Sequence, residues 1–148
     1  TVIAPYATAL ALAIADDRAD LVIGSRYVRG GGTTDWAVRR QLLSKWGNAY
    51  TRAILRVPSK DCTSGYRAYR ATALSAIDPT STSAEGYAFL TELVRRLASR
   101  RFVIVESPII FRDRTKGKSK MSGRIIIESM ALVTRWGIGD RLRRRRAR

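Results

Sequence analysis

The run Leu21-Val22-Ile23-Gly24, introduced by Asp20 and closed by Ser25-Arg26-Tyr27, constrains this chain more than any other stretch. It shows no alternation of polar and apolar side chains, the pattern of a strand covered on both faces, as in sheets packed between helices. Residues 4–15 (APYATALALAIA) are strong helix formers after Pro5, with Leu10 and Ile14 four apart on one face. A helix therefore feeds a central strand. At the strand's carboxyl end, Gly30-Gly31-Gly32 supplies a flexible loop where an α/β sheet binds its ligand. The expected class is α/β.

The rest of the chain reads consistently with that class. From Asp35, the residues Leu42, Leu43, Trp46, Tyr50, Ala53, Ile54 and Val57 recur at spacings of three and four, predicting a helix that Pro58 stops. Lys45, Arg52 and Arg56 fall on another face, and Arg40 and Ser44 lie one turn apart. Tyr66 to Tyr69 suits a short strand, and Ala71 to Ile77 a short helix closed by Asp78-Pro79. Thr82 and Glu85 have capping-box spacing ahead of a helix that buries Phe89, Leu90, Leu93, Val94 and Leu97. Phe102 to Val105 is a strand, which Ile109-Ile110-Phe111 continues or neighbours. Ile125 to Trp136 is helical, with Ile125, Ile126, Met130, Val133 and Trp136 apolar. Residues 138–148 carry too many like charges to pack and are expected to form a disordered basic tail. With 148 residues, 45% apolar and without an internal repeat, 1–137 is expected to be one domain. No apolar run has the length of a bilayer crossing and no signal-peptide pattern is present, so the expectation is a soluble or peripheral protein.

Composition narrows the chemistry. There is no histidine and one cysteine, Cys62, which removes the commonest general base and metal ligand and any internal disulfide. The net charge of +16 points to an anionic partner: nucleic acid, an acidic lipid surface or a phosphorylated small molecule. That charge is uneven. Residues 1–24 carry a net of −2, whereas 112–148 hold 13 basic against three acidic residues, a net of +10.

Two stretches are dense in phosphate-binding chemistry: Asp61-Cys62-Thr63-Ser64-Gly65-Tyr66-Arg67, and the cationic loop Arg114-Thr115-Lys116-Gly117-Lys118-Ser119-Lys120-Met121. Each alone could be an ordinary turn or a solvated loop. Asp16-Asp17 could hold a metal, but it precedes the strand and reads better as a solvated helix terminus. Arg26, ending a buried strand, either pairs with an acid or faces a cleft, and the cleft is favoured. The basic C-terminal helix could be a core helix with a charged outer face, a nucleic-acid face or a membrane-surface helix. Bases and aromatics are not interleaved as stacking on nucleic acid requires, so the membrane surface fits best.

Taken in order, Asp20 to Tyr27, Asp61 to Arg67, Glu85-Gly86-Tyr87-Ala88-Phe89, Pro108 to Phe111 and Arg114 to Gly123 resemble the family 2 glycosyltransferases that move a hexose onto a polyprenyl phosphate, especially the dolichol- and polyprenol-phosphate mannose synthases. The resemblance implies a partial GT-A fold: a Rossmann-like mixed sheet flanked by helices, with a C-terminal amphipathic helix. It implies a nucleotide-sugar donor, with GDP-mannose favoured, and a polyprenyl or dolichyl phosphate acceptor at the cytoplasmic face of an anionic membrane, with no nucleic-acid partner. By position in the family pattern, Arg26, Arg40 and Ser44 would grip the acceptor phosphate, and Asp61 would be the catalytic group. Thr63, Ser64, Gly65, Arg67, Arg114 and Lys120 would bind the donor. The family's N-terminal nucleotide-binding strand and its Asp-x-Asp motif have no counterpart here. Mg2+ or Mn2+ is thus expected for the complete enzyme, with its ligands absent from this chain, and a separate N-terminal half or a membrane subunit is an expected partner. The alternatives are a non-catalytic basic peripheral module that binds lipid phosphate or, less well supported, a nucleic-acid-binding protein.

Overall fold

A computed structural model describes residues 4–112 and 123–146. In chain order the elements are α1 (Ala4–Ala15), β1 (Leu21–Ser25), β2 (Gly32–Thr34), α2 (Val38–Leu55), β3 (Arg67–Tyr69) and α3 (Ala71–Ile77). A 3-10 turn (Pro79–Ser81) leads to α4 (Gly86–Ser99), β4 (Ile104–Pro108), β5 (Ile110–Arg112) and α5 (Gly123–Arg146). The fold is mixed α/β. β1 is the central strand of a three-stranded sheet ordered β3-β1-β4, antiparallel to β3 and parallel to β4, with Leu21 opposite Tyr69 and Ile104. β2 and β5 form a separate parallel pair.

The unalternating run in β1 is buried along its whole length, as its composition requires. Leu21 and Ile23 point into the main core with Leu55, Val57, Cys62, Ala73, Ile77, Leu93, Val94, Leu97 and Val133. Val22 points the other way, under Leu10 of α1. Gly24 is needed there: a Cβ would sit 2.8 Å from Cδ1 of Tyr66 and 2.9 Å from Cγ2 of Ile109. At the end of α1, Asp16 and Asp17 pair with Arg18 and Arg70.

Four expectations change. α2 begins at Val38 rather than at Asp35, whose backbone is left-handed (φ 64°), and it ends in a left-handed Arg56 two residues before Pro58. α4 takes Glu85 as N-cap, so Thr82 and Glu85 form no capping box; the Thr82 hydroxyl instead donates to Glu92. The apolar residues of α5 are divided rather than gathered on one membrane-facing surface: Val133 is buried and Trp136 packs on the core, whereas Ile127, Ile138 and Leu142 are exposed. Finally, α5 continues through Arg146 where a disordered tail was expected from 138. Arginine is a good helix former, and Asp140 is anchored by a two-pronged bond from Arg95, 2.8 Å from Nε and 2.6 Å from Nη2.

Candidate active site

The decisive feature is the orientation of α2. Its apolar positions predict a core face, yet Leu42 and Trp46 are 61% and 52% exposed, while Ser44, Asn48, Thr51 and Leu55 are buried. A polar helix face can be buried only where its groups find partners. Asn48 meets that condition: its Oδ1 accepts from Cys62 N (2.8 Å), and its Nδ2 donates to Ser44 O (2.9 Å) and Thr63 Oγ1 (3.1 Å). α2 is thereby tied side-on to the loop that carries Asp61.

That loop is over-determined by hydrogen bonds. Glu106 on β4 accepts from Ser59 Oγ (3.2 Å), Lys60 N (2.9 Å) and Asp61 N (3.0 Å). Ser64 Oγ donates to Gly24 O (2.6 Å). Arg67 donates to the carbonyls of Ser64 (2.6 Å), Cys62 (2.6 Å) and Leu90 (2.8 Å). Ser64 and Arg67, expected to reach a donor, thus hold the loop itself, and Gly65 lies between them on the same turn. The Cys62 thiol is sealed within the loop, and burial pushes its pKa up to about 12.

Asp61, expected as the catalytic group, lies at the centre of the loop's polar contacts. Its side chain is fully buried, and both oxygens are taken by Arg26: Oδ2 accepts from Nε (2.7 Å) and from the backbone N–H (3.0 Å), Oδ1 from Nη2 (2.6 Å). With both oxygens engaged, the Asp61 carboxylate braces Arg26 from below the surface. Arg26 therefore takes the acid-paired alternative rather than the open cleft. Burial works against its charge, but the hydrogen bonds and the charge of Asp61 outweigh that and raise its pKa above the ordinary arginine value. Thr63 Oγ1 completes the set, accepting from Arg26 Nη2 (2.9 Å) and donating to Asp61 Oδ1 (3.3 Å).

Around this pair the structure gathers the three residues expected to grip phosphate. Tyr27 OH donates to Ser44 Oγ (2.6 Å), and burial raises the Tyr27 pKa although the Ser44 bond opposes it. The Arg26 guanidinium lies 5.1 Å from the Tyr27 ring centroid and 5.3 Å from that of Trp36, over which Arg40 stacks at 3.9 Å. Phe111 packs edge-on to Trp36. The Trp36 indole N–H is buried and finds no acceptor among the described residues. Two arginines, an unused indole donor and a hydroxyl thus meet at the carboxyl end of β1, an arrangement suited to an anion. Arg114 and Lys120 lie outside the described residues, as does the rest of their loop.

Beside this cluster a groove opens between α2, α4 and α5. Ser44, Asn48 and Thr63 form its polar end, and Leu43, Trp46, Tyr87, Ile125, Ile126, Met130 and Val133 its apolar walls. Among the described residues no group of three or more acidic or thiol side chains could hold a metal ion. The described residues by themselves do not fit a divalent cation. Nor is any described helix long and apolar enough to cross a membrane.

Asn48, Glu106, Tyr27 and Trp36 were not singled out from sequence. The spacing Ser44-Asn48-Thr51-Leu55, a polar stripe inside an amphipathic helix, was the signal available for Asn48, and an acid within the apolar run 102–111 was the signal for Glu106.

No family model matches the chain. Polyprenol monophosphomannose synthase of Mycolicibacterium smegmatis is 46% identical over 143 residues, covering 97% of this chain and 54% of that protein. Undecaprenyl-phosphate mannosyltransferase of Micrococcus luteus is 46% identical over 130 residues, covering 88% of this chain and 54% of that protein. The chain spans about half the length of the curated relatives it matches.

Proposed function

We propose that this chain, which is similar to a polyprenol monophosphomannose synthase and an undecaprenyl-phosphate mannosyltransferase, carries the acceptor site of an enzyme that transfers mannose from a nucleotide sugar, GDP-mannose in the favoured reading, to a polyprenyl phosphate. The observation that carries this reading is the junction of the Arg26-Arg40-Trp36-Ser44 cluster with the apolar groove between α2, α4 and α5. Such a junction matches an amphiphile with a phosphate head and an isoprenoid tail. The mixed sheet and its flanking helices are consistent with part of a GT-A domain.

The chemistry asks little of general bases. A phosphate monoester is already ionised near neutral pH and can attack an anomeric carbon directly, so a chain without histidine loses nothing. What the site must supply is alignment of the nucleophile and neutralisation of charge. Arg40 would contact the acceptor phosphate. Arg26, braced by Asp61 and Thr63, would supply a fixed positive charge beside it, and the Ser44 hydroxyl and Trp36 N–H would add neutral donors. In this reading Arg114 and Lys120 would bind the donor diphosphate, and Mg2+ or Mn2+ would be held by residues other than those described. Exposed Val38, Leu42 and Trp46 on α2, and Ile127, Ile138 and Leu142 among the arginines of α5, would rest in the interface of an anionic leaflet.

The test is calorimetric titration of the chain with farnesyl phosphate, farnesol and inorganic phosphate. Farnesyl phosphate should bind more tightly than either part. Arg40→Ala should weaken it by about 1.5–3 kcal/mol, the value of a charge-assisted hydrogen bond, and Ser44→Ala by less. Equal affinity for farnesol and farnesyl phosphate, or no effect of Arg40→Ala in a folded variant, would sink the acceptor assignment.

A further inference from the structure

We infer that the crevice between the 3-10 turn, α4 and the C-terminal part of α5 binds a small, water-soluble organic phosphate, separately from the groove proposed for the acceptor. The crevice encloses about 810 Å³, within the range of roughly 300–1,000 Å³ that organic ligands occupy. It lies at the other end of α4. Tyr87, Ala88 and Thr91 line the groove, whereas Arg95, Arg96 and Arg100 line the crevice. At 1.5 Å per residue, Arg96 is about 12 Å along the helix from Ala88.

The crevice holds three acids, Asp78, Glu92 and Asp140, and each is already engaged. Glu92 Oε1 accepts from Arg96 Nη2 (2.6 Å) and Nε (3.0 Å), and Asp140 is held by Arg95. The Asp78 carboxylate accepts from Thr80 Oγ1 (2.6 Å), while Arg96 Nη1 donates to the Asp78 carbonyl (2.9 Å) and to Ser81 Oγ (2.7 Å). Arg95 and Arg96 are therefore committed to the walls, which they fix. Arg100 and Arg143 are left. The Arg100 guanidinium makes one long bond to its own helix, from Nη1 to Arg96 O at 3.3 Å, and Arg143 has no hydrogen-bond or ion-pair partner among the described residues. Two guanidinium groups carried by different helices and facing one space form a donor set for phosphoryl oxygens.

A phosphate ester could be a soluble molecule or the headgroup of a lipid. A lipid needs apolar surface beside its headgroup. Here the apolar lining is Ile77, which is 1% exposed, and Trp136, which packs on the core and lies under Arg95 at 5.7 Å. The exposed Ile138 and Leu142 of α5 offer none, because they point elsewhere. At about 100° per residue, Asp140 and Arg143 fall within about 40° of Trp136 around the helix, and Ile138 and Leu142 about 120–160° away. The crevice thus suits a soluble ligand, and its two spare guanidinium groups suit two phosphoryl groups.

The test is calorimetric titration of the chain with fructose bisphosphate, and with fructose and inorganic phosphate as its parts. The bisphosphate should bind more tightly than either part, and saturating farnesyl phosphate should not displace it. Arg100→Gln and Arg143→Gln should each weaken it by about tenfold, the loss of one charge-assisted hydrogen bond. Both side chains are exposed, so the variants keep the fold. Arg52→Gln removes the same charge from an exposed position on α2 and should leave the affinity unchanged. An equal loss in Arg52→Gln would reduce the effect to net charge, and displacement by farnesyl phosphate would put the sugar phosphate in the acceptor groove. Capture of the chain by vesicles containing phosphatidylinositol phosphate, without binding of the bisphosphate, would make the ligand a lipid headgroup. Any of these results, or no binding of the bisphosphate at all, would overturn the proposal.

Discussion

Replacing Asp61 by Asn tests how the site is held. The carboxylate is fully buried and accepts three hydrogen bonds from Arg26 and one from Thr63. Asparagine keeps the shape but turns an amide NH2 toward the guanidinium, leaving a buried positive charge without its counter-charge. Breaking such a pair costs about 3–5 kcal/mol, a large share of the roughly 5–15 kcal/mol that stabilises a domain. With a urea slope of about 1–3 kcal/mol per molar, the unfolding midpoint followed by far-ultraviolet circular dichroism should fall by about 2 M. The double variant Arg26→Met/Asp61→Leu removes both charges and should cost less than Asp61→Asn alone, because the penalty lies in the orphaned charge rather than in the lost attraction. A midpoint for Asp61→Asn indistinguishable from the parent's, or a double variant as unstable as the sum of its single changes, would show that Asp61 does not neutralise a buried Arg26.

Three further outcomes are expected. Glu106→Gln removes one of the two acceptor oxygens under the Asp61 loop, a loss of about 1.5–3 kcal/mol for a charge-assisted bond; exchange of the Lys60 and Asp61 amides should accelerate, and unchanged exchange would show that Glu106 does not hold the loop. Gly137→Ala places a Cβ 2.5 Å from Cγ2 and 3.0 Å from the carbonyl oxygen of Ile54, so α2 and α5 must separate. Overpacking of about 1–3 kcal/mol should outweigh the helix-propensity gain of roughly 1 kcal/mol, and a raised thermal midpoint would contradict it. The Cys62 thiol, held at about 12 against its usual 9.0, should resist iodoacetamide at pH 8 until the chain unfolds. Between those two values the native state keeps a proton that the unfolded state releases, so this contribution to stability is complete below pH 9.0 and is lost as pH rises toward 12. Rapid labelling of the folded chain would show the thiol to be accessible.

The parts of the fold governed by local pattern were legible in the sequence. The buried strand at Leu21, the helix at Ala71–Ile77 ended by Asp78-Pro79, and the apolar face of α4 all follow from periodicity and punctuation. The site was legible only as a set of residues. Its internal geometry was not, because α2 carries two stripes, an apolar one at Leu42, Leu43 and Trp46 and a polar one at Ser44, Asn48 and Thr51, and hydropathy alone assigns the first to the core. The hydrogen bonds from Asn48 to the Cys62 and Thr63 loop decide the other way, and they span 14 and 15 residues of sequence. Arg26 and Asp61, 35 residues apart, hide their partnership for the same reason. On α5 a charged pattern obscured the difference between Val133 and Trp136, which pack inward, and Ile127, Ile138 and Leu142, which remain outside.

In the proposed complex the isoprenoid tail lies between α2, α4 and α5 while its phosphate meets Arg40 and Ser44. The most direct measurement is photo-crosslinking with farnesyl phosphate carrying a diazirine on its tail, with the labelled residues located by peptide mass spectrometry. Labelling is expected in the groove at Tyr87, Ile126 and Met130, competed by unlabelled farnesyl phosphate and diminished by Arg40→Ala. Labelling confined to the crevice of Arg96, Arg100 and Arg143, or to the Val103 and Val105 face of β4, would contradict it.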